Sequence, residues 1–392
     1  MKTVELQQVT SIIAGQSPES STYNSIADGL PFFQGKADFQ EKFPKVRVWC
    51  NSIKRKEAIP GDILMSVRAP VGSVNICDQK CIIGRGLSAI RSHSNLNHYF
   101  LYYYLKCNEK NVASLGTGST FQAITQTTLK MLEIPLPPLE DQIRIATLLS
   151  KVEDLISRRR EQLKQLDELL KSVFLEMFGD PVRNEKGWDI LPFHKVGHFV
   201  SGGTPSKKRA DYWDGNFPWV SPKDMKVSKI EDAEDHIAES VFEETTLKRI
   251  TPNHLLIVVR GMILVHSFPV AINTVDIAIN QDIKAIKPIQ RLNVVYLQSC
   301  INALKRKILK LISTAGHGTR KFDSIAMHKL YIPTPPIDLQ NQFADIAEKF
   351  EGIKSRYQQS LKEFENLYGI LSQKAFKDEL DLSRVPTACR RG

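Results

Sequence analysis

The stretch IPLPPLEDQ, residues 134–142, is written again 198 positions later as IPTPPIDLQ, residues 332–340. In each copy a proline pair keeps the preceding residues out of helical geometry. Acidic side chains follow, Glu140 and Asp141 in one copy and Asp338 in the other, where the positive end of a helix favours them. Each stretch therefore reads as an extended exit followed by a helix start. A junction repeated this closely makes an internal duplication the first thing to test.

The match extends in both directions. Downstream, at the same offset, Leu155 meets Ile353, Arg158 meets Arg356, Leu163 meets Leu361, Leu169 meets Leu367 and Phe178 meets Phe376. Upstream the offset shrinks in small steps, as loop insertions would make it. LSAIR (87–91) matches IKAIK (283–287) at 196, and PGDILMSVRA (60–69) matches PNHLLIVVRG (252–261) at 192. At 187, GQSP matches GGTP, ending at Pro18 and Pro205, and GLPFFQGK (29–36) resembles GNFPWVSPK (215–223). Order is kept and both halves are covered, so the chain is two diverged copies of one module.

After each junction the apolar residues keep a period near 3.5. They are Ile145, Leu149, Val152, Ile156, Leu163, Leu166, Leu170, Val173 and Met177, with Arg159 interrupting, and then Ala347, Phe350, Tyr357, Leu361, Phe364, Tyr368, Leu371 and Ala375, with Lys354 interrupting. A narrow seam held this long predicts a coiled-coil stripe on a helix of about 40 residues, roughly 60 Å. The one equally long partner in the chain is the other copy, so the two helices are expected to pair, antiparallel.

Between the helices, ILMSVRAPVGSVNI, CIIGRGLSAI, HLLIVVRGMILVHSF and IAINQDIKAI are short apolar runs broken by Gly, Pro and Asn, and read as strands of a twisted sheet. HYFLYYYLKCNEKNVASLG and VVYLQSCINALKRKILKLISTAG predict one shorter helix per copy, ending at Gly116 and Gly316. The expected fold class is α+β: a domain over 1–136, a long helix over 137–180, a second domain over 181–334, a second long helix over 335–380 and a tail over 381–392.

At 392 residues with 42% hydrophobic content, each module has enough material for a core. The formal net charge of +10 points to an acidic partner, nucleic acid first. Six cysteines, at 50, 77, 81, 107, 300 and 389, form no CxxC pair and no metal-ligand spacing, which predicts reduced thiols in the cytoplasm. MKTVELQQVT lacks an apolar signal core, and no run approaches a membrane span.

Loops on a rigid scaffold carry recognition, and the repeat-equivalent loops are rich in suitable groups. GQSPESSTYN supplies Ser17, Ser20, Thr22 and Tyr23, and GGTPSKKRADYW supplies Thr204, Ser206, Lys207, Lys208, Arg209 and Tyr212. Hydroxyls and amides after a glycine approach phosphate closely, and lysines release counterions. Gln34 and Lys36, like Ser221 and Lys223, follow an aromatic strand, and glutamine or lysine can read base edges. Arg68 and Arg260 recur at one place, Gly84 and Arg85 face Asn280 and Gln281, and GTGSTFQ against GHGTRKF adds Ser119, Thr120, Arg320 and Lys321. The scaffold recurs while the loop side chains differ, which suggests one fold reading two sequences.

Catalytic signatures are weak. The glycines of GTG end a helix instead of following a strand, the wrong context for a phosphate loop. Leu136 and Thr334 precede the proline pairs, so no amino-methylase motif is present, and Asp282 and Lys284 form a DxK pattern without an upstream acidic partner. The histidines have no ligand spacing. Two other readings stay open: a nuclease or methylase with degenerate motifs, and a coiled-coil scaffold that binds no DNA.

GQSPESSTYN with GLPFFQGKADF, GGTPS with FPWVSPKD, and the twin helix openings IPLPPLEDQIRIA and IPTPPIDLQNQFA resemble the specificity (S) subunit of type I restriction-modification systems over nearly the whole chain. The resemblance implies two target recognition domains, each binding one half of a split asymmetric DNA site, and two long helices that set the gap. It implies a non-catalytic chain that binds no cofactor, on which two methyltransferase subunits dock and bring S-adenosylmethionine. Restriction (motor-nuclease) subunits would join with Mg2+ and ATP. The second helix opening is the weaker match.

Overall fold

A computed structural model describes residues 2–116, 123–314, 319–383 and 385. The chain divides into two compact units, Met1–Arg160 with Gln359–Gly392, and Glu161–Gln358. Each long helix, Leu139–Phe178 and Ile337–Phe376, therefore gives one half to each unit.

In the first unit, Thr3–Glu5 pairs antiparallel with Glu133–Pro135, setting Val4 against Ile134 and closing the domain on the junction. An antiparallel sheet runs Thr10–Ala14, Leu87–Ser92, Ile63–Ser66, Val74–Ile76. Successive residues of a strand face opposite sides. Ile63 and Met65 accordingly join a core with Phe100, Leu101 and Leu105 of helix His98–Cys107 and with Ile145 and Leu149 of the long helix. Leu64, between them, joins Phe33, Ile83 and Ala89 on the other side. A second sheet runs Tyr23–Asn24, Trp49–Cys50, Leu30–Phe33, Cys81–Ile83, Glu57–Ala58, with Leu30–Phe33 parallel to Cys81–Ile83.

The second unit repeats the plan. Ile190–Pro192 pairs with Tyr331–Pro333. One sheet runs Gly197–Ser201, Ile283–Pro288, Leu255–Val258, Val270–Asn273, Lys229–Ile230, and the other Asp235–Ile237, Phe217–Val220, Ala278–Ile279. Phe217–Val220 is again parallel to its later neighbour, Trp219 facing Ala278. The strands shared by the two copies thus keep their order, while Lys229–Ile230 extends the first sheet in the second copy and the other sheet is shortened from five strands to three.

Several elements depart from expectation. Each domain builds two principal sheets instead of one. The shorter helix of the first copy breaks at Asn108, whose side chain donates to Tyr104 O at 2.9 Å, leaving His98–Cys107 and Glu109–Ser114. In the second copy the helix ends at Leu311, because Ile312 turns extended and Ser313–Thr314 pairs with Arg320–Lys321; Gly316 lies outside the described residues. MILV of the expected strand is instead the 3-10 turn Met262–Val265 that follows Gly261, at φ +138°.

The repeated junction has a physical explanation. Gln142 and Gln340 are completely buried at the start of the long helices. The Gln142 Oε1 accepts from Asn97 N at 2.8 Å, and its Nε2 donates to Asn95 O at 3.1 Å and Pro137 O at 2.9 Å. Gln340 repeats the set with Asn293 N at 2.9 Å, Arg291 O at 3.1 Å and Pro335 O at 2.7 Å. Each glutamine thus ties the long helix to the loop that starts the shorter helix, and its own buried amide finds three backbone partners there.

The seams are graded. Ile145, Leu149, Val152 and Ile156 are buried, while Leu163, Leu166, Leu170, Val173 and Met177 are half-buried, with Phe174 and Phe178 buried beside them. In the first unit Arg160 pairs with Glu365 at 2.8 Å, and Arg159 lies 5.8 Å from the Phe364 ring centroid. In the second, Lys354 Nζ lies 2.8 Å from Asp167 Oδ1, and Phe174 packs edge-on against Phe343. Both cations that interrupt the seam pattern are therefore engaged inside their own unit.

Candidate nucleic-acid interface

The recognition candidates lie where chain ends of strands meet. In the first domain Gly15 N donates to Leu87 O at 2.9 Å and Gln16 N to Ile83 O at 3.0 Å. A Cβ at Gly15 would overlap the Gly84 carbonyl, so glycine is what lets this loop lie on the next one. The Ser17 hydroxyl accepts from Arg85 N at 3.3 Å. Gly84 N donates to Phe33 O at 2.8 Å, beside Gln34, and Val67 N donates to Gly86 O at 2.9 Å, beside Arg68. Ser17, Gln34, Arg68 and Arg85 are thus gathered, all exposed.

The other candidates of this domain have different settings. Lys36 is exposed with Nζ 3.4 Å from Glu109 Oε1. Ser20 is exposed in the turn Ser20–Thr22. The Thr22 hydroxyl donates to Glu19 O at 2.7 Å. Tyr23 donates to Pro18 O at 2.8 Å and packs on Phe32, and burial pushes its phenol above the ordinary value. Thr22 and Tyr23 therefore shape the loop. Ser119 and Thr120 lie outside the described residues.

The second domain repeats the geometry. Gly203 N donates to Ile279 O at 2.9 Å, and a Cβ at Gly202 would overlap that same carbonyl. The Thr204 hydroxyl donates to Gln281 Oε1, and Asn280 N donates to Val220 O at 3.0 Å. Gly261 N donates to Arg320 O at 3.0 Å and Phe322 N to Val259 O at 2.9 Å, bringing Arg260, Arg320 and Lys321 together. A cavity of about 500 Å³ opens here, lined by Arg260, Gln281, Lys284 and Lys321 with Phe199 and Phe322.

Burial and ion pairing sort the rest. Tyr212, Ser221 and Asn280 are buried; Tyr212 donates to Glu244 at 2.9 Å, Ser221 binds Asp224 through N and Oγ, and Asn280 Oδ1 accepts from Asp282 N at 3.0 Å. These three hold loops in place. Lys223 sits 3.0 Å from both Asp235 and Glu234, which hold its proton more tightly than usual. Arg209 is likewise strengthened as a cation, first by Asp211 and also by Glu244 at 3.2 Å, and it stacks over Tyr212. Ser206, Lys207 and Lys208 are exposed.

Sequence reasoning missed two sets. The acids that neutralise Lys36, Arg209 and Lys223 carry no repeated signal. Gln142 and Gln340 did carry one, the same polar residue at the same place in the quoted stretches. What remains at each site is a cluster of amides, hydroxyls, an amide side chain and cations, the groups that contact phosphate and base edges. Among the described residues, no three His, Cys, Asp or Glu side chains form a metal-ligating group. His254 Nδ1 is 2.8 Å from Thr251 O, and His194 stacks on His328.

The sequence profile of the type I restriction modification DNA specificity domain matches residues 1–166 and again residues 185–364. The chain belongs to that family. As a family member it is 44% identical over 163 residues to a chain described as the type I restriction enzyme MjaX specificity subunit of Methanocaldococcus jannaschii, covering 41% of this chain and 38% of that one. It is 33% identical over 178 residues to the EcoR124I/EcoR124II specificity subunit of Escherichia coli, covering 45% and 44%. The chain thus spans under half the length of these curated relatives. Its specificity-domain fold is similar to the crystal structure of the S subunit of a type I restriction-modification system from M. genitalium, with a TM-score of 0.60 at 16% identity over 96% of each chain.

Proposed function

We propose that this chain is the DNA-reading, catalytically silent subunit of a type I restriction-modification assembly. Residues 1–136 and 181–334 each read one half of a bipartite, asymmetric duplex site. The observation that carries this reading is that the same loops converge at the ends of the same parallel strand pair in both copies, around a recurring Arg68 and Arg260 but with different neighbours: Ser17, Gln34 and Arg85 against Thr204, Ser221 and Gln281.

The helices over 137–180 and 335–380 pair antiparallel, set the gap between half-sites and dock two methyltransferase subunits. The antiparallel sense is supported in the second unit, where the later residue of one helix meets the earlier residue of the other: Asp167 with Lys354, then Phe174 with Phe343. S-adenosylmethionine belongs to the methyltransferase partners, Mg2+ and ATP to restriction subunits, and the assembly acts in the cytoplasm. Methylome sequencing of cells with and without this chain, beside its methyltransferase, tests the reading. A split motif that vanishes with the chain is expected; a continuous motif, or none, refutes it.

A further inference from the structure

Helix Val294–Leu311 buries Leu297, Ile301, Leu304 and Ile308. Lys305, Arg306, Lys307 and Lys310 occupy the rest of its circumference, with Arg306 and Lys310 exposed and Lys305 and Lys307 half-exposed. Among the described residues none of the four is joined to an acidic side chain.

The other copy shows what this position faces. Asn97 and Asn293 both cap their helices, and Val112 and Ile308 are both buried at the same offset of 196, so Glu109 stands where the second copy has Lys305. Glu109 Oε1 accepts from Lys36 Nζ at 3.4 Å, on the recognition loop, and from Ser73 Oγ. In the first domain the short helix Glu109–Ser114 therefore neutralises a loop cation, whereas the corresponding part of helix Val294–Leu311 in the second adds cations of its own. The helix then leads directly into Ser313–Thr314, which pairs with Arg320–Lys321, so its basic residues are continuous with those of the recognition loops.

From this asymmetry we infer that Lys305, Arg306, Lys307 and Lys310 bind phosphates of the duplex flanking the half-site read by the second domain, with no equivalent clamp on the first. The inference rests on the DNA-reading function proposed above. Lysines on a solvated helix face read no bases; they exchange condensed counterions for fixed cations, which tightens binding in any sequence and makes it steeply salt-dependent. An acidic protein partner is the competing occupant.

The test is equilibrium binding of the full chain to a random-sequence duplex across a salt series. Replacing all four cations (K305Q, R306Q, K307Q, K310Q) is expected to flatten the slope of log K against log salt by about 1.8 to 3.6, the value for two to four phosphate contacts. The charge-keeping variant K305R, K307R, K310R should retain the parent slope, as should K110Q in the first domain. An unchanged slope in the quadruple variant overturns the inference while leaving the DNA reading intact. Loss of subunit assembly with an unchanged slope assigns the face to an acidic protein and overturns it equally. Absence of salt-dependent duplex binding by the parent chain removes the DNA reading itself, and this inference with it.

Discussion

Replacing Gln142 by Leu should loosen the first domain from its long helix. The substitution keeps much of the buried volume but strands Asn97 N–H and the carbonyls of Asn95 and Pro137, all of which Gln142 satisfies. A buried group left without a partner costs about 1–3 kcal/mol; Pro137 is buried, Asn97 half-buried and Asn95 exposed to water, so the loss should be on the order of 2 kcal/mol. Because the two units need not unfold together, the informative assay is hydrogen exchange at Asn97, whose amide should lose protection about thirtyfold. A loss below about 0.5 kcal/mol, with Asn97 still protected, would refute the assignment of the glutamine as the tie. Gln142→Glu refines the test. A carboxyl buried against two carbonyl oxygens keeps its proton above the ordinary value of about 4.3. With its folded pKa raised, its contribution is complete below the unfolded pKa and is lost as pH rises through the folded one. The Glu variant should therefore weaken from about pH 4 toward neutrality, a trend that Gln142→Leu cannot show at this site.

Adjacent glycines should behave differently. Gly202→Ala drives a Cβ into the Ile279 carbonyl, whereas at Gly203 the nearest side-chain atom is Leu247 Cδ1 at 3.6 Å; duplex binding and thermal stability should fall for the first, by about 1–3 kcal/mol in stability, and hold for the second. Lys354→Met fills an interrupted seam position and releases an exposed Asp167 and a half-buried Glu351, so the seam contact and the lost pairs should nearly cancel, within about 1 kcal/mol by thermal denaturation; a loss above about 2 kcal/mol would show the ion pairs to be essential. Inserting seven residues into both long helices lengthens each by about 10 Å, and the methylated motif should gain about 3 base pairs of gap at 3.4 Å each; an unchanged gap would rule out the helices as the ruler.

How far the sequence could be read depended on range. The long helices were legible because their signals are local and periodic: a proline pair, acids in the first turn, and an apolar step of three or four carried from Ile145 to Met177. Strand positions were legible from short apolar runs bounded by Gly and Pro. The shorter helices were read too long, since an asparagine side chain at 108 and a strand pairing at 313–314 ended them, and neither competes visibly in a hydropathy pattern.

At the candidate interface the loops were read as a set of repeat equivalents, and their members as equal. Lys207 and Arg209 look alike in GGTPSKKRADYW, yet Arg209 is held by Asp211 and by Glu244, 35 residues away. Tyr212, Ser221 and Asn280 look like contact groups and are buried in the scaffold.

By itself the sequence determined the duplication, the two long helices and the class of group on each loop, because repeats, periodicity and composition are properties of neighbours along the chain. The tertiary structure alone decided which cations stay free, which polar residues are structural, and why IPLPPLEDQ recurs. Those answers depend on burial and on partners brought from distant segments, and a polar side chain becomes a tie or a contact only when the fold removes water from one side of it.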